Sequence, residues 1–397
     1  MTAKRLLVVT AAAAWVLTGP CLPMPVDAAH ADAPAERPAF SPVSTHGGLV
    51  YVSAVLPPDP AAGFEAQAAG VLDELRTRLA GAGTSLDRVV SATVALSDAA
   101  DFGALNTVWT RYWPSSRPTR TTIVARLPLA GARLQVSAVA AAAGTTRDVV
   151  VPPGWQAASL PYSPAIRAGH NVFLSGIVSR RGADNALVKG DIETQTRAVF
   201  ENARAVLEAA GLALSDVASV KVFLVNTGDF ERMNAVYRTY FPAGPPARAT
   251  VAAALTSPDY LIEITMTAAT GGRRSTHVTP NADGSPGRAN PVLSSAVRVG
   301  PQLFLSGMLG VTPGTATGTA AQAAEALGRL ERTMAQSGYG WPHVADCVVY
   351  VTDVSEVALV LDAIKARAGG RLPSGSVVGA GLTSPAASVE IMLTAGR

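Results

Sequence analysis

Phe173-Leu174-Ser175-Gly176 recurs as Phe304-Leu305-Ser306-Gly307, and in looser form as Tyr51-Val52-Ser53-Ala54. The sequence downstream of these three stretches keeps step. A helix-like run carries Gln67, Gln195 or Gln322, and sixteen residues later stands Gly83, Gly211 or Gly338. Fifteen residues beyond each Gly, Asp98, Asn226 or Asp353 closes a β-branched run. Equal internal spacing at three places marks one domain written three times.

The copies cover residues 40–143, 156–270 and 290–397. The connections are turn-rich: the first holds Pro152-Pro153, and 271–289 is polar, rich in Gly, Pro, Asn and Ser, and reads as a mobile linker. Within each copy a short strand pair ends at the Ser. Apolar residues then recur at three and four positions, which predicts helices over Phe64–Leu79, Ile192–Ala209 and Ala320–Ala335. Strands are expected over Val89–Leu96, Val217–Val225 and Val344–Val351. A second helix such as Asp229–Tyr240, a Pro-x-Arg-like turn and two final strands complete the unit. In the last strand of the second copy, Leu261, Glu263 and Thr265 take one face and Ile262, Ile264 and Met266 the other. This is an α+β plan, with helices on one face of a mostly antiparallel sheet.

At 397 residues the chain has room for three such domains, each large enough to bury its own core. Its net charge of +3 is small and its basic residues are scattered, which argues against a nucleic-acid partner. Lys4 and Arg5 precede an apolar stretch from Leu6 to Leu17, and Ala29-His30-Ala31 suits a signal peptidase. Residues 1–31 therefore read as an export signal, placing the mature protein outside the cytoplasm, secreted or periplasmic. The apolar stretch is short for a membrane span, so no stable membrane association is expected after cleavage. Pro20 before Cys21 fits a lipoprotein signal poorly. Removal of the signal leaves Cys347 alone, with no intrachain disulfide, and its strand context suits a small buried hydrophobe. The five His show no metal-type spacing.

Taken together, these features resemble the YjgF/RidA family of reactive-imine deaminases. The second copy carries the resemblance best: Pro161-Tyr162, Leu174-Ser175-Gly176, Gln195, Ala210-Gly211, Phe230, Asn234, Pro246-Ala247-Arg248 and Ile262-Glu263-Ile264. Family members are homotrimers with a ligand cleft at each subunit boundary. The resemblance implies that this chain is a covalent pseudo-trimer, monomeric, with sheets inside and helices outside. It also implies cofactor-free, metal-free hydrolysis of an imine or enamine of a small carboxylate.

The resemblance assigns roles residue by residue. Arg248 matches the carboxylate-binding Arg, whose guanidinium can hold a carboxylate through paired hydrogen bonds. Glu263 matches the Glu that positions water and handles protons. Ser175 and Gly176 match the cleft floor, Thr250 the place of a frequent Cys, Asn234 a cleft Asn, and Tyr162 the Tyr that reaches into an adjoining subunit's cleft. In the first copy Arg120 and Asn106 are kept, but Gln135, Ala54 and Phe40 replace the Glu, Gly and Tyr. In the third, Glu390, Ser306 and Gly307 are kept, whereas Gly375, Leu361 and Leu293 replace the Arg, Asn and Tyr.

The expected working site is thus an Arg248–Glu263 cleft whose tyrosine position holds Phe40 or Leu293, with no cleft holding the full family set. The Trp109, Tyr112 and Trp113 group reads as packing. A non-catalytic exported carboxylate-binding protein, using Arg120 and Arg248, is the competing reading. Ribonuclease activity lacks a basic groove or a His pair, and chorismate hydrolysis lacks matching residues.

Overall fold

A computed structural model describes residues 37–156, 160–311 and 317–397. The expected signal, residues 1–31 with Cys21, lies outside them.

Each copy folds into one sheet backed by two long helices. These are α1 (Phe64–Gly81) and α2 (Phe102–Tyr112), α3 (Ile192–Ala209) and α4 (Phe230–Tyr240), and α5 (Thr319–Gln336) and α6 (Val357–Arg367). Helix α3 shows why they form. Ile192, Val199, Phe200, Ala203, Val206 and Leu207 bury one face, and the Asp191 carboxylate accepts from the Thr194 N–H to cap its start. At its end Gly211 adopts φ +68°, a left-handed turn that costs glycine little.

The central strand of each sheet pairs antiparallel with the last strand and parallel with the strand before it. In the second copy Val217–Leu224 lies between Ile262–Ala269 and Ala247–Ala252. Val89–Leu96 lies likewise between Leu134–Ala141 and Thr119–Val124. Val344–Val351 lies between Val389–Gly396 and Ser374–Gly379. The chain is therefore three tandem α+β domains.

The free edge of each sheet is taken up by another copy. Ala254–Leu255 of the second copy pairs with Thr119–Val124 of the first. Gly381–Leu382 of the third pairs with Ala247–Ala252 of the second. Arg126 of the first bridges Gly379 of the third, which closes the ring. Backbone groups at three sheet edges thus find partners inside one chain. The outer faces of the sheets bury three separate helix-backed cores. The inner faces meet chiefly in a cluster that includes Ile123, Phe223, Val251, Tyr350, Val378 and Met392, with two smaller clusters around Tyr51 and Phe173 and around Val297 and Phe304.

Both connections do more than link. Arg147–Val150 adds a strand to the second sheet beside Ala165–Ala168. Arg274–His277, inside the expected linker, adds one to the third sheet beside Ala296–Val299. Cys347 is free and fully buried in its strand, and burial pushes its thiol up. Among the described residues no helix is long and apolar enough to cross a membrane.

Candidate active site

The strand Thr119–Val124 enters the first seam with its backbone clamped by the second copy. The Arg120 N–H donates to Ser175 Oγ at 2.9 Å, and the Ser175 hydroxyl donates to the Ser163 carbonyl at 2.8 Å. The Gly176 N–H donates to the Arg120 carbonyl at 3.1 Å. The repeated Ser-Gly is therefore a docking device between copies before it is anything chemical.

Gly176 has a second reason to lack a side chain. A Cβ built there would stand 1.8 Å from Glu263 Oε1 and 3.1 Å from Thr121 Cα. The carboxyl fills that space and accepts from the Thr122 N–H at 3.2 Å. The repeated Gln holds the strand behind it. Gln195 Nε2 donates to the Asp259 carbonyl and its Oε1 accepts from the Leu261 N–H, both at 2.9 Å, tying α3 to the turn that leads into Ile262–Ala269.

Arg120 is only 3% exposed. Its Nη2 donates to Asn106 Oδ1 at 2.6 Å, while Nη1 is buried and makes no hydrogen bond. The guanidinium carbon lies 5.1 Å from the Trp109 ring, 5.5 Å from Phe102 and 5.7 Å from Tyr162. Trp109 therefore both packs and faces the cation. Burial pulls the guanidinium down to about 10, which leaves it charged at neutral pH, with Tyr162 and Glu263 opposing the shift. Burial lifts the Glu263 carboxyl to about 8, against the Thr122 N–H and the Arg120 charge. Burial also raises the Tyr162 hydroxyl. Arg120 and Glu263 act on each other through their fields without an ion pair between them.

The expected pairing of Arg248 with Glu263 is wrong, and sheet parity is the reason. Arg248 registers with Val220, whereas Glu263 registers with Phe223, on the same central strand. Positions three apart on a strand face opposite sides of the sheet. Arg248 accordingly faces α4, its guanidinium carbon 4.5 Å from the Tyr237 ring and 5.7 Å from Phe230. Glu263 faces inward and across the first seam. Each acid lies within the field of the Arg of the preceding copy, so the residues expected in one cleft are instead drawn from two copies at each seam. The first seam unites Asn106, Arg120 and Thr122 with Tyr162, Ser175, Gly176 and Glu263. Thr122, which occupies in the first copy the place of Thr250, was not anticipated as a site residue; its register with the Pro-Thr-Arg run was the available signal.

Arg248 belongs to the second seam. Its N–H donates to Ser306 Oγ at 2.8 Å, and the Gly307 N–H donates to its carbonyl at 3.1 Å. Burial lifts Glu390 to about 8, while the Thr250 backbone and the Arg248 charge pull it down. A Cβ on Gly307 would stand 1.8 Å from Glu390 Oε1, as at the first seam. The differences are local. Asn234 Oδ1 and Thr250 Oγ1 make no hydrogen bond here, Arg248 Nη1 is unpaired as Arg120 Nη1 is, and Leu293 holds the chain position of Tyr162.

The third seam has neither charged group. Its Gly375 N–H donates to Ser53 Oγ at 2.9 Å, which keeps the docking bond. Gln135 turns away from acid chemistry, its Nε2 donating to the Val377 carbonyl at 2.7 Å. A Cβ on Gly375 would stand 2.6 Å from the Phe40 ring, which occupies the space an arginine would need.

A pocket of about 70 Å3 adjoins the first seam, with Tyr162, Ser175 and Gly176 in its wall together with Trp155, Ile177 and Asn202. Arg120 and Glu263 lie outside that wall. Among the described residues no group of three His, Cys, Asp or Glu is arranged to hold a metal ion.

The profile of the family described as "Endoribonuclease L-PSP" matches residues 30–142, 155–270 and 286–396. The chain belongs to the endoribonuclease L-PSP family. A RutC family protein of Pyrococcus horikoshii is 47% identical over 104 residues, 26% of this chain and 82% of that protein. Protein DfrA of Myxococcus xanthus is 47% identical over 93 residues, 23% of this chain and 71% of that protein. Among solved structures, a putative L-PSP endoribonuclease from Thermotoga maritima is 38% identical, with a TM-score of 0.30, covering 32% of this chain and 98% of its own. Each of the two relatives matches about a quarter of this chain.

Proposed function

We propose that the chain is a cofactor-free hydrolase of an imine or enamine of a small carboxylate, working at the seam between the first and second copies. The observation that carries this reading is the buried Arg120 Nη1 without a partner, at a seam where burial also lifts the Glu263 carboxyl to about 8. Membership of the L-PSP family supports the same chemistry.

The substrate carboxylate takes the free N–H groups of Arg120, with Asn106 holding the guanidinium from behind. Glu263, protonated through most of the neutral range, gives its proton to the imine nitrogen. Its carboxylate then takes a proton from the attacking water as oxygen bonds to the imine carbon. The carbinolamine formed collapses to a 2-oxo acid and ammonia, and the proton count closes. An amide at residue 263 could not carry a proton in this way.

The test offers freshly generated 2-aminoacrylate and follows ammonia release. Arg120→Ala and Glu263→Gln should each abolish the enzymic rate above the spontaneous one, and full activity in either would sink the reading. The second seam retains Arg248 and Glu390 but has Leu293 in the tyrosine position. That loss favours carboxylate binding without turnover there, so Arg248→Ala should remove a binding event and leave the rate.

A further inference from the structure

On the axis where the three sheets meet lies a cavity of about 90 Å3, several times the ~10–15 Å3 that one water needs. Its wall is not three-fold. Equivalent strand positions supply Thr93, Lys221 and Val348, and the positions two residues earlier supply Ser91, Ser219 and Asp346. One amine and one carboxyl therefore stand in a chamber otherwise rich in hydroxyls. Asn171, 2% exposed, also lines it, and its Oδ1 has no hydrogen-bond partner.

The choice of lysine is informative. Only four of the 32 Lys and Arg residues are lysines: Lys4, Lys189, Lys221 and Lys365. Lys189 and Lys365 are exposed. A chain that uses arginine for nearly every cation has placed lysine in its central chamber. The two differ in one respect that matters there, because a lysine can give up its proton and become a nucleophile, whereas an arginine cannot. No ion pair joins Lys221 to Asp346. Burial pulls the Lys221 ammonium down and pushes the Asp346 carboxyl up, each opposed by the other's charge.

We propose that the axial cavity is a second ligand site, in which the Lys221 amine condenses with a small aldehyde or 2-oxo acid to form an imine. The nitrogen lone pair adds to the carbonyl carbon, and the proton released from nitrogen ends on oxygen, giving a carbinolamine. Asp346 protonates that hydroxyl, which leaves as water; the C–N double bond forms, and the remaining proton on nitrogen returns to the Asp346 carboxylate. One amine and one carbonyl give one imine and one water, with no oxidant or reductant consumed. Seryl and threonyl hydroxyls of the wall hold the remaining oxygens of the ligand. The inference stands apart from the seam chemistry, since neither Arg120 nor Glu263 lines the cavity.

The experiment treats the full chain with glyoxylate and cyanoborohydride, then maps the carboxymethyl mass gain by peptide mass spectrometry. Lys221 should gain the label at least ~10-fold faster than Lys189 and Lys365, and prior heat denaturation should erase that preference. Asp346→Asn should slow the labelling of Lys221, whereas Glu263→Gln should leave it unchanged even where it stops ammonia release. Labelling of Lys221 in the folded protein no faster than of the two exposed lysines would overturn the proposal.

Discussion

The Glu263 carboxyl occupies the place that a side chain would take at residue 176, since a Cβ on Gly176 would meet Oε1 at 1.8 Å. The acid is held by an absence, and the absence is supplied by the same copy that carries the acid. Gly176→Ala is therefore expected to displace the carboxyl. The overpacking should cost about 1–3 kcal/mol of stability in thermal unfolding. It should also lower kcat/KM for imine hydrolysis by roughly 100-fold, the usual size of a positioned acid–base contribution. Unaltered turnover would mean that the carboxyl is not placed by this contact.

The two surviving arginines should separate in their effects. Arg120→Lys keeps the charge but loses the planar fork, so KM for a carboxylate substrate should rise about tenfold or more. Arg248→Lys should leave that KM within about twofold, because Arg248 lies across the sheet from Glu263. Steady-state kinetics on both variants decide the matter.

Glu263 and Glu390 each have a carboxyl lifted from 4.5 to about 8. The folded chain therefore binds more protons than the unfolded chain between those limits, and stability should fall as pH rises through that window. Denaturant unfolding at pH 5 and pH 8 should show a loss of a few kcal/mol, and Glu263→Gln should remove part of that slope. Imine hydrolysis should decline above about pH 8 as the general acid loses its proton.

At the third seam, Gly375→Ala would put a Cβ 2.3 Å from the Cys347 carbonyl and 2.6 Å from Phe40. A stability loss of about 1–3 kcal/mol is expected by calorimetry. Adding Phe40→Ala should recover little, because the backbone carbonyl contact remains.

Much of this is legible in the sequence. The repeat spacing marks three domains, and α3 begins and ends where its apolar periodicity does. The polar residues gathered at the first seam are also of the types that the resemblance picks out. Their grouping was not legible, because reading a strand fixes which residues share its face but not which edge meets which copy. Arg248 and Glu263 lie fifteen residues apart with a turn between them, so their relative facing depends on register, which only pairing with Val217–Leu224 sets. Lys221 escaped notice for a related reason, since its neighbours in the chamber come from three sheets. The strands at Arg147–Val150 and Arg274–His277 are short edge pieces in polar surroundings, which composition reads as connection.

The seams differ in how much chain they span. The Ser175–Arg120 bond joins residues 55 apart, and the Ser53–Gly375 bond joins residues 322 apart. Closing the longer loop costs about 1.6 kcal/mol more entropy. During synthesis from the N-terminus, the first pocket can assemble while the last third is still unmade, whereas the ring waits for the final strand. The one junction that lacks the cleft arginine and the cleft acid is also the last to form, so neither of those two charges has to be desolvated at that step.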